Sequence, residues 1–249
     1  MIAKIYSGAI VGLEAVPVEV EVDIAAQGLP SFTIVGLPDK AVDEAKERVR
    51  AAIRNSGADF PARKITVNLA PADLPKEGPS YDLPIALGIL IASGQLQADV
   101  SKSLFCGELS LDGRVRAING ALIHALMARQ KKLTHFYLPA QNANEAAIVD
   151  EVAIFSVPTL KDLFFHLSEQ QPLERMIPIN FAEVIIEHTY DQDLKDVRGQ
   201  QQAKRALEIA AAGSHNMLFK GPPGAGKTLL ARTLASILPR LSFEEMLEV

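Results

Sequence analysis

The sequence predicts an α/β protein in which a larger first domain leads into the beginning of a second one built around a glycine-rich loop. Three observations carry this. Residues 2–35 alternate apolar and polar side chains with a period of two. Residues 38–168 interleave short β-branched runs with helical periods, and a glycine-rich loop at 221–228 stands between an apolar run and another helical pattern.

Taken in order, Ile2, Ile5, Ala9 and Val11 lead to a turn at 12–14. Val16, Val18, Val20, Val22 and Ile24 then alternate with Glu19, Glu21 and Asp23, the pattern of a half-buried hairpin. Ser31–Val35 is a third strand ended by Gly36. Between Pro38 and Ser56, Val42, Ala45, Val49 and Ile53 share one helix face, Glu44 stands four residues before Arg48 on the other, and Gly57 supplies a left-handed cap. Lys64–Leu69 reads as a strand and Asp82–Ala92 as an apolar helix that Asp82 is placed to cap. Leu104–Leu111 and Arg114–Ile118 form a hairpin turning at Asp112 and Gly113. Two strand–helix pairs follow: His135–Leu138 with Asn142–Val149, and Val152–Val157 with Leu160–Leu167. The first domain therefore spans 1–168.

Residues 169–193 break the rhythm with Gln170, Gln171, Pro172 and Pro178, and set six acids against Arg175. They read as an acidic linker with one short strand, Glu183–Glu187. From Leu194 a helix (Gln200–Ala212), a strand (Met217–Phe219), the Gly/Pro loop and a helix (Lys227–Leu238) are expected, so the second domain occupies 194–249.

Composition narrows the class. With 48% hydrophobic and 22% charged residues in 249, wholesale disorder is excluded. The single cysteine, Cys106, permits neither an intramolecular disulfide nor a cysteine-based zinc site, which suits a reducing cytoplasm. The most apolar run, Leu83–Ser93, is far shorter than the ~20 residues of a membrane span. The five histidines show no metal-ligand spacing. Residues 194–249 carry eight Lys/Arg against five Asp/Glu, and residues 1–193 carry 17 against 25. An acidic first domain does not grip phosphate backbone by bulk field, and Arg48, Arg50, Arg54, Arg63 and Lys64 read as a solvated face.

The chemistry-bearing motif is Gly221, Pro222, Pro223, Gly224, Ala225, Gly226, Lys227 and Thr228, which fits G-x-x-x-x-G-K-[ST] without a mismatch. Glycines let successive backbone N–H groups turn inward onto phosphate oxygens. Lys227 is expected to reach the β- and γ-phosphates as a point charge, and Thr228 to place its hydroxyl on Mg²⁺. The implied ligand is ATP with Mg²⁺.

The stretch from Asp196 to Thr228, with Val197, Gly199 and Gln200 ahead of the loop, closely resembles the opening of the AAA+ module in magnesium-chelatase-like ATPases. That resemblance implies that Val197, Gly199 and Gln200 lie against the adenine. It also implies a Walker B pair, a sensor and an arginine finger well beyond the 21 residues that follow Thr228. Glu244 and Glu245 lack the preceding apolar strand and read as a solvated helical face. The chain is therefore expected to be a fragment of a longer ATPase that by itself lacks the hydrolytic parts. Its last 56 residues are expected to be partly unfolded in isolation, since one short strand cannot make a buried parallel sheet.

The first domain resembles the Lon-protease-like domain of the ComM/YifB family. Two segments carry this: Pro75–Ser80 (PKEGPS) ahead of an apolar helix, and Gly107–Gly120 (GELSLDGRVRAING) leading into another. Ile10–Glu14 and Gly36–Asp39 resemble the family too. The implied fold is the ribosomal-S5-domain-2-like α/β fold. For the whole protein the resemblance implies a ring-forming motor acting on DNA, in branch migration during recombination. In Lon proteases the Gly-Pro-Ser serine is the nucleophile and a lysine on the later helix its base. Here those positions hold Ser80 and His124, and Tyr81 and Asp82 replace the small residues expected after the serine. Structural roles for Ser80 and His124 are the expectation. An ATP-dependent serine protease is the first alternative, and a magnesium chelatase subunit the second.

Overall fold

In the computed structural model, residues 2–179, 190, 192–240 and 245 are described. They fall into two compact units, Met1–Asn180 and Phe181–Val249.

The first unit is a mixed, mostly parallel sheet covered on both faces. Strand β1 (Ile2–Val11) and strand β2 (Glu14–Ile24) form the expected antiparallel hairpin, with Ile5 opposite Val20. Strand β3 (Ser31–Val35) returns through helix α1 (Lys40–Asn55) to pair in parallel with strand β4 (Lys64–Ala70). After helix α2 (Asp82–Ala92) come β5 (Ser103–Phe105), β6 (Glu108–Leu109) and β7 (Val115–Arg116). Helix α3 (Ala121–Gln130), β8 (His135–Pro139), α4 (Ala143–Ala146), β9 (Ala153–Val157) and α5 (Leu160–Leu167) complete the unit. The sheet runs β3-β4-β2-β1-β5-β8-β9, and β6 and β7 stand apart as a two-stranded hairpin.

The period of two divides the core. Ala3 and Ile5 of β1, Phe105 of β5 and Tyr137 of β8 face one side, under α1, α2 and α5. Tyr6, Leu104, Phe136 and Leu138 face the other, under α3 and α4. Helix α2 is apolar all round because it is buried all round, between the sheet and α1. It approaches β2 so closely that a Cβ on Gly88 would lie 2.5 Å from Val22 Cγ2. Helix α1 begins at Asp39, whose carboxylate accepts from the Val42 N–H at 2.7 Å, and ends at Ser56 and Gly57, where φ is +86°.

Several expectations are corrected. The segment 104–111 is two strands in two sheets, because at Gly107 the backbone leaves the ladder: its N–H donates to Ser80 O and its carbonyl accepts from the Leu83 N–H. The helix expected at 142–149 is a 3₁₀ turn (Ala140–Asn142) followed by the single turn of α4. Residues 173–179, assigned to the linker, pack back onto the first unit. Leu173 lies on one core and Met176 and Ile179 on the other, and the Met176 N–H donates to Ile154 O at 2.8 Å beside the edge strand β9. The strand expected at 183–187 lies outside the described residues.

The second unit holds a 3₁₀ turn (Leu194–Asp196), helix α6 (Gln201–Gly213), helix α7 (Lys227–Thr233) and a 3₁₀ turn (Leu234–Ile237), so the helix expected to reach Leu238 tightens after Thr233. Leu194, Val197, Leu207 and Leu230 form its small core. The expected strand at 217–219 does not form. Met217 and Phe219 pack on that core instead, and a lone strand has no ladder to join among the described residues. Glu244 lies outside the described residues, and Glu245 is helical and exposed.

Candidate functional site

Two places hold the residues singled out above, one in each unit. In the second unit the loop 221–226 leads directly into α7. Gly224 and Gly226 have φ of +80° and +79°, a backbone that L side chains rarely adopt. Lys227 folds its ammonium back over the loop, donating to Gly221 O at 2.9 Å and Pro222 O at 2.7 Å. Thr228 is exposed. Gly199 and Gln200 take left-handed conformations, φ +68° and +55°, just before α6, while Val197 is buried in the small core.

In the first unit a cleft of about 680 Å³ is lined by Gly8–Ile10 of β1, the Gly78–Tyr81 turn, Asp39, Glu77, Glu108, residues 117–119 and His124. The structure thus brings Ser80 and His124 to one cleft. Asp39 fixes the turn while it caps α1: its second carboxylate oxygen accepts from the Gly78 N–H at 3.1 Å. Gly78 has φ +79°, and Pro79–Tyr81 is a 3₁₀ turn running straight into α2. The Gly107 N–H donates to Ser80 O at 2.9 Å, tying the turn to the end of β5. The Ser80 hydroxyl has no hydrogen-bond partner among the described residues. Burial of the neighbouring Tyr81 pushes its phenol well above the usual range.

His124 is 2% exposed. Its Nδ1 lies 2.8 Å from Gly120 O and its Nε2 3.3 Å from Gly8 O. Two carbonyls can both be satisfied only by an imidazolium, which donates from both nitrogens. Burial opposes that charge, but the Cys106 sulfur and the two carbonyls outweigh it and push His124 up to about 9. An imidazolium has no lone pair to offer a serine hydroxyl.

Asp82 corrects its expected role. It is the first residue of α2 and not its N-cap, which is Tyr81, and its carboxylate is fully buried. It accepts from Arg48 Nε at 2.6 Å, Arg48 Nη2 at 3.0 Å and the Leu109 N–H at 3.1 Å. Burial pushes it up to about 6, against the pull of Arg48. Arg48 therefore turns inward to Asp82 instead of joining a solvated basic face, and Arg50 lies 5.2 Å from the Phe60 ring centroid. Nothing in the sequence pairs positions 48 and 82. An arginine toward the polar edge of α1 and an acid opening an apolar helix were the only signals.

Comparison with known proteins gives the class: a magnesium-chelatase-like protein. A family model described as subunit ChlI of Mg-chelatase matches residues 20–142, and one described as magnesium chelatase, subunit ChlI, matches residues 193–249. The chelatase description thus also covers part of the first unit, where only a Lon-like likeness was expected. The chain is 47% identical to competence protein ComM of Haemophilus influenzae over 99% of its length and 48% of the relative's. It is 45% identical to YifB of Escherichia coli over 98% of its length and 47% of the relative's. Lon protease 2 of Bacillus subtilis is 25% identical over 63% of this chain and 31% of its own. The chain belongs to the ComM/YifB family and spans about half the length of the ComM and YifB relatives it matches. Among the described residues no helix is long and apolar enough to cross a membrane.

Proposed function

We propose that residues 194–249 are the nucleotide-binding start of an AAA+ module that holds ATP with Mg²⁺. The observation that carries this is the loop 221–226, with positive φ at Gly224 and Gly226 and with Lys227 closed over it. The residues present fit the ligand. A Cβ on Gly224 or Gly226 would meet nothing within 4 Å, which leaves the loop's outer side open for an anion. The loop amides and Lys227 would hold the phosphates, Lys227 exchanging two carbonyl acceptors for charged oxygens. Thr228 would meet the metal, and Val197, Gly199 and Gln200 would flank the base. When bound, Mg²⁺ supplies charge neutralisation at the phosphates.

We read the first unit, 1–168 with its strap to 179, as a ribosomal-S5-domain-2-like, Lon-protease-like domain, joined to the module by the segment that ends at 193. Membership of the ComM/YifB family and the name of the competence-protein relative support a DNA-acting, ring-forming motor as the role of the whole protein. The test of nucleotide binding is a melting shift with Mg²⁺–ATP. A ligand at 100-fold over Kd adds about 2.7 kcal/mol, and Lys227→Ala abolishes the shift. A shift that persists in that variant removes the assignment.

A second reading, a serine hydrolase at Ser80, is favoured by the cleft that Ser80 shares with His124. Against it stands His124, whose two nitrogens face carbonyls. A fluorophosphonate labels Ser80 on the hydrolase reading, and the label disappears in His124→Ala. No labelling between pH 6 and 9 ends that reading.

A further inference from the structure

The seven-stranded sheet ends in two edge strands, β3 and β9, and the chain guards only one of them. Beside β9 it lays its own residues 175–176: Phe155 bridges antiparallel to Arg175, and the Met176 N–H donates to Ile154 O at 2.8 Å. Beside β3 no second strand lies among the described residues. Free edges are usually blunted by a charge, a bulge or a covering loop, because they template pairing with another chain. Residues 24–38 carry no charge, although 22% of the sequence is charged. Ser31, Thr33 and Val35 are exposed along this edge, and Leu29 and Leu37 beyond its ends are 87% and 57% exposed.

The ladder fixes which backbone groups are free. The Ser31 N–H donates to Arg63 O, toward β4. In a parallel pair each residue turns both its N–H and its C=O to one side, and the next residue turns them to the other. Ser31, Thr33 and Val35 thus spend theirs on β4. Those of Phe32 and Ile34 point outward and meet no partner among the described residues. Pro30, which has no N–H, and Gly36, at φ +103°, close the strand at its two ends. What lies between is symmetric about Thr33, with outward groups one residue to each side and an exposed leucine four residues to each side. Such an edge is complementary to itself, the requirement of a two-fold interface.

We propose that β3 pairs antiparallel with β3 of a second copy of this chain, about a two-fold axis between the two Thr33 residues. The Phe32 N–H donates to Ile34 O of the other copy, and the Ile34 N–H to its Phe32 O, each bond occurring twice by symmetry. The two Thr33 side chains meet as a non-hydrogen-bonded pair, and Leu29 of each copy comes opposite Leu37 of the other. The pairing uses neither the phosphate loop nor the Ser80 cleft, so its fate is independent of either reading above.

The test uses the whole chain. Sedimentation velocity shows monomer passing to dimer between about 10 µM and about 1 mM, the weak association expected of a small interface. Over that range, hydrogen exchange at the Phe32 and Ile34 amides slows about tenfold, while the Thr33 amide, already bonded to β4, is unchanged. Thr33→Lys occupies an exposed position, so the fold persists, and it sets two ammoniums against each other, which weakens the dimer about tenfold. Thr33→Cys places two thiols on Cα atoms about 4.5 Å apart, within disulfide reach. Mild oxidation therefore links that variant faster than Leu13→Cys, at the exposed tip of the β1–β2 hairpin; the native Cys106 is fully buried and does not compete. A chain that stays monomeric at all these concentrations overturns the proposal and leaves the edge to a strand of another protein. It is equally overturned by a dimer that Thr33→Lys leaves unchanged, or by Thr33→Cys linking no faster than Leu13→Cys.

Discussion

Replacing Arg48 by Met isolates the Asp82 carboxylate, and its consequence can be worked through. Asp82 is fully buried and keeps only the Leu109 amide once Arg48 is gone. Two charge-assisted hydrogen bonds disappear, at 2.6 and 3.0 Å, which costs about 1.5 kcal/mol net. The remainder depends on pH. Asp82 titrates in the folded protein at about 6, above its ordinary value. A raised carboxylate contributes stability that is complete below the unfolded pKa and is lost as pH rises through the folded one. In the wild type that loss stops growing near pH 6, because the carboxylate ionises beside Arg48. In the variant only the Leu109 N–H supports ionisation, the folded pKa moves further up, and the loss continues. Between pH 6 and 7 the difference is one unit, about 1.4 kcal/mol. The variant is therefore expected to be destabilised by about 3 kcal/mol at pH 7 and about half that at pH 5. Urea unfolding followed by near-ultraviolet dichroism of the buried Tyr81 and Tyr137 measures both, and Asp82→Asn in the same background removes the pH dependence. A cost that is equal at pH 5 and 7, or below about 1 kcal/mol at pH 7, would refute the reasoning.

Three other outcomes are expected. Gly36→Ala places a Cβ against the Leu69 carbonyl at φ +103°, so unfolding experiments should show a loss of about 3 kcal/mol or more. The imidazole of His124 should titrate near 9 by NMR; stability from that group is complete below its unfolded pKa and falls as pH rises through 9, and a midpoint below 6.5 contradicts the two-carbonyl geometry. His166 accepts from the Leu173 N–H through Nδ1 at 2.9 Å and meets the Tyr137 hydroxyl through Nε2 at 3.1 Å. Burial lowers its pKa, so this latch holds above the unfolded pKa and opens as pH falls through the folded one. The Leu173 amide signal should move with that titration and lose its pH dependence in His166→Phe.

Local rules made much of the first unit legible. The β1–β2 register, the buried face of α1 and its glycine cap, and the strands at β8 and β9 follow from period and turn chemistry, because those depend on neighbours in the chain. Legibility ended where a residue's partner is remote. Gly107 divides an expected strand because its backbone groups pair with Ser80 and Leu83, over 20 residues away in the chain. Residues 217–219 have the composition of a strand but no ladder to join. The Gly-rich turn at 221–226 was readable because it is local; the cleft that Ser80 and His124 share was foreshadowed only by the family resemblance, since β1, the 78–81 turn and α3 each supply only part of it.

Sequence alone determined most of the alternating and spiralling segments of the first unit and where the Gly-rich loop turns, since these are encoded within about ten consecutive residues. Tertiary structure decided the charge states. Arg48 meets Asp82 across 34 positions, and His124 meets Gly8 across 116. Burial raises the Asp82 carboxyl against the pull of Arg48, whereas at His124 burial lowers the imidazole and the Cys106 sulfur and the two carbonyls more than reverse it, so both groups ionise far from their usual pH for opposite reasons.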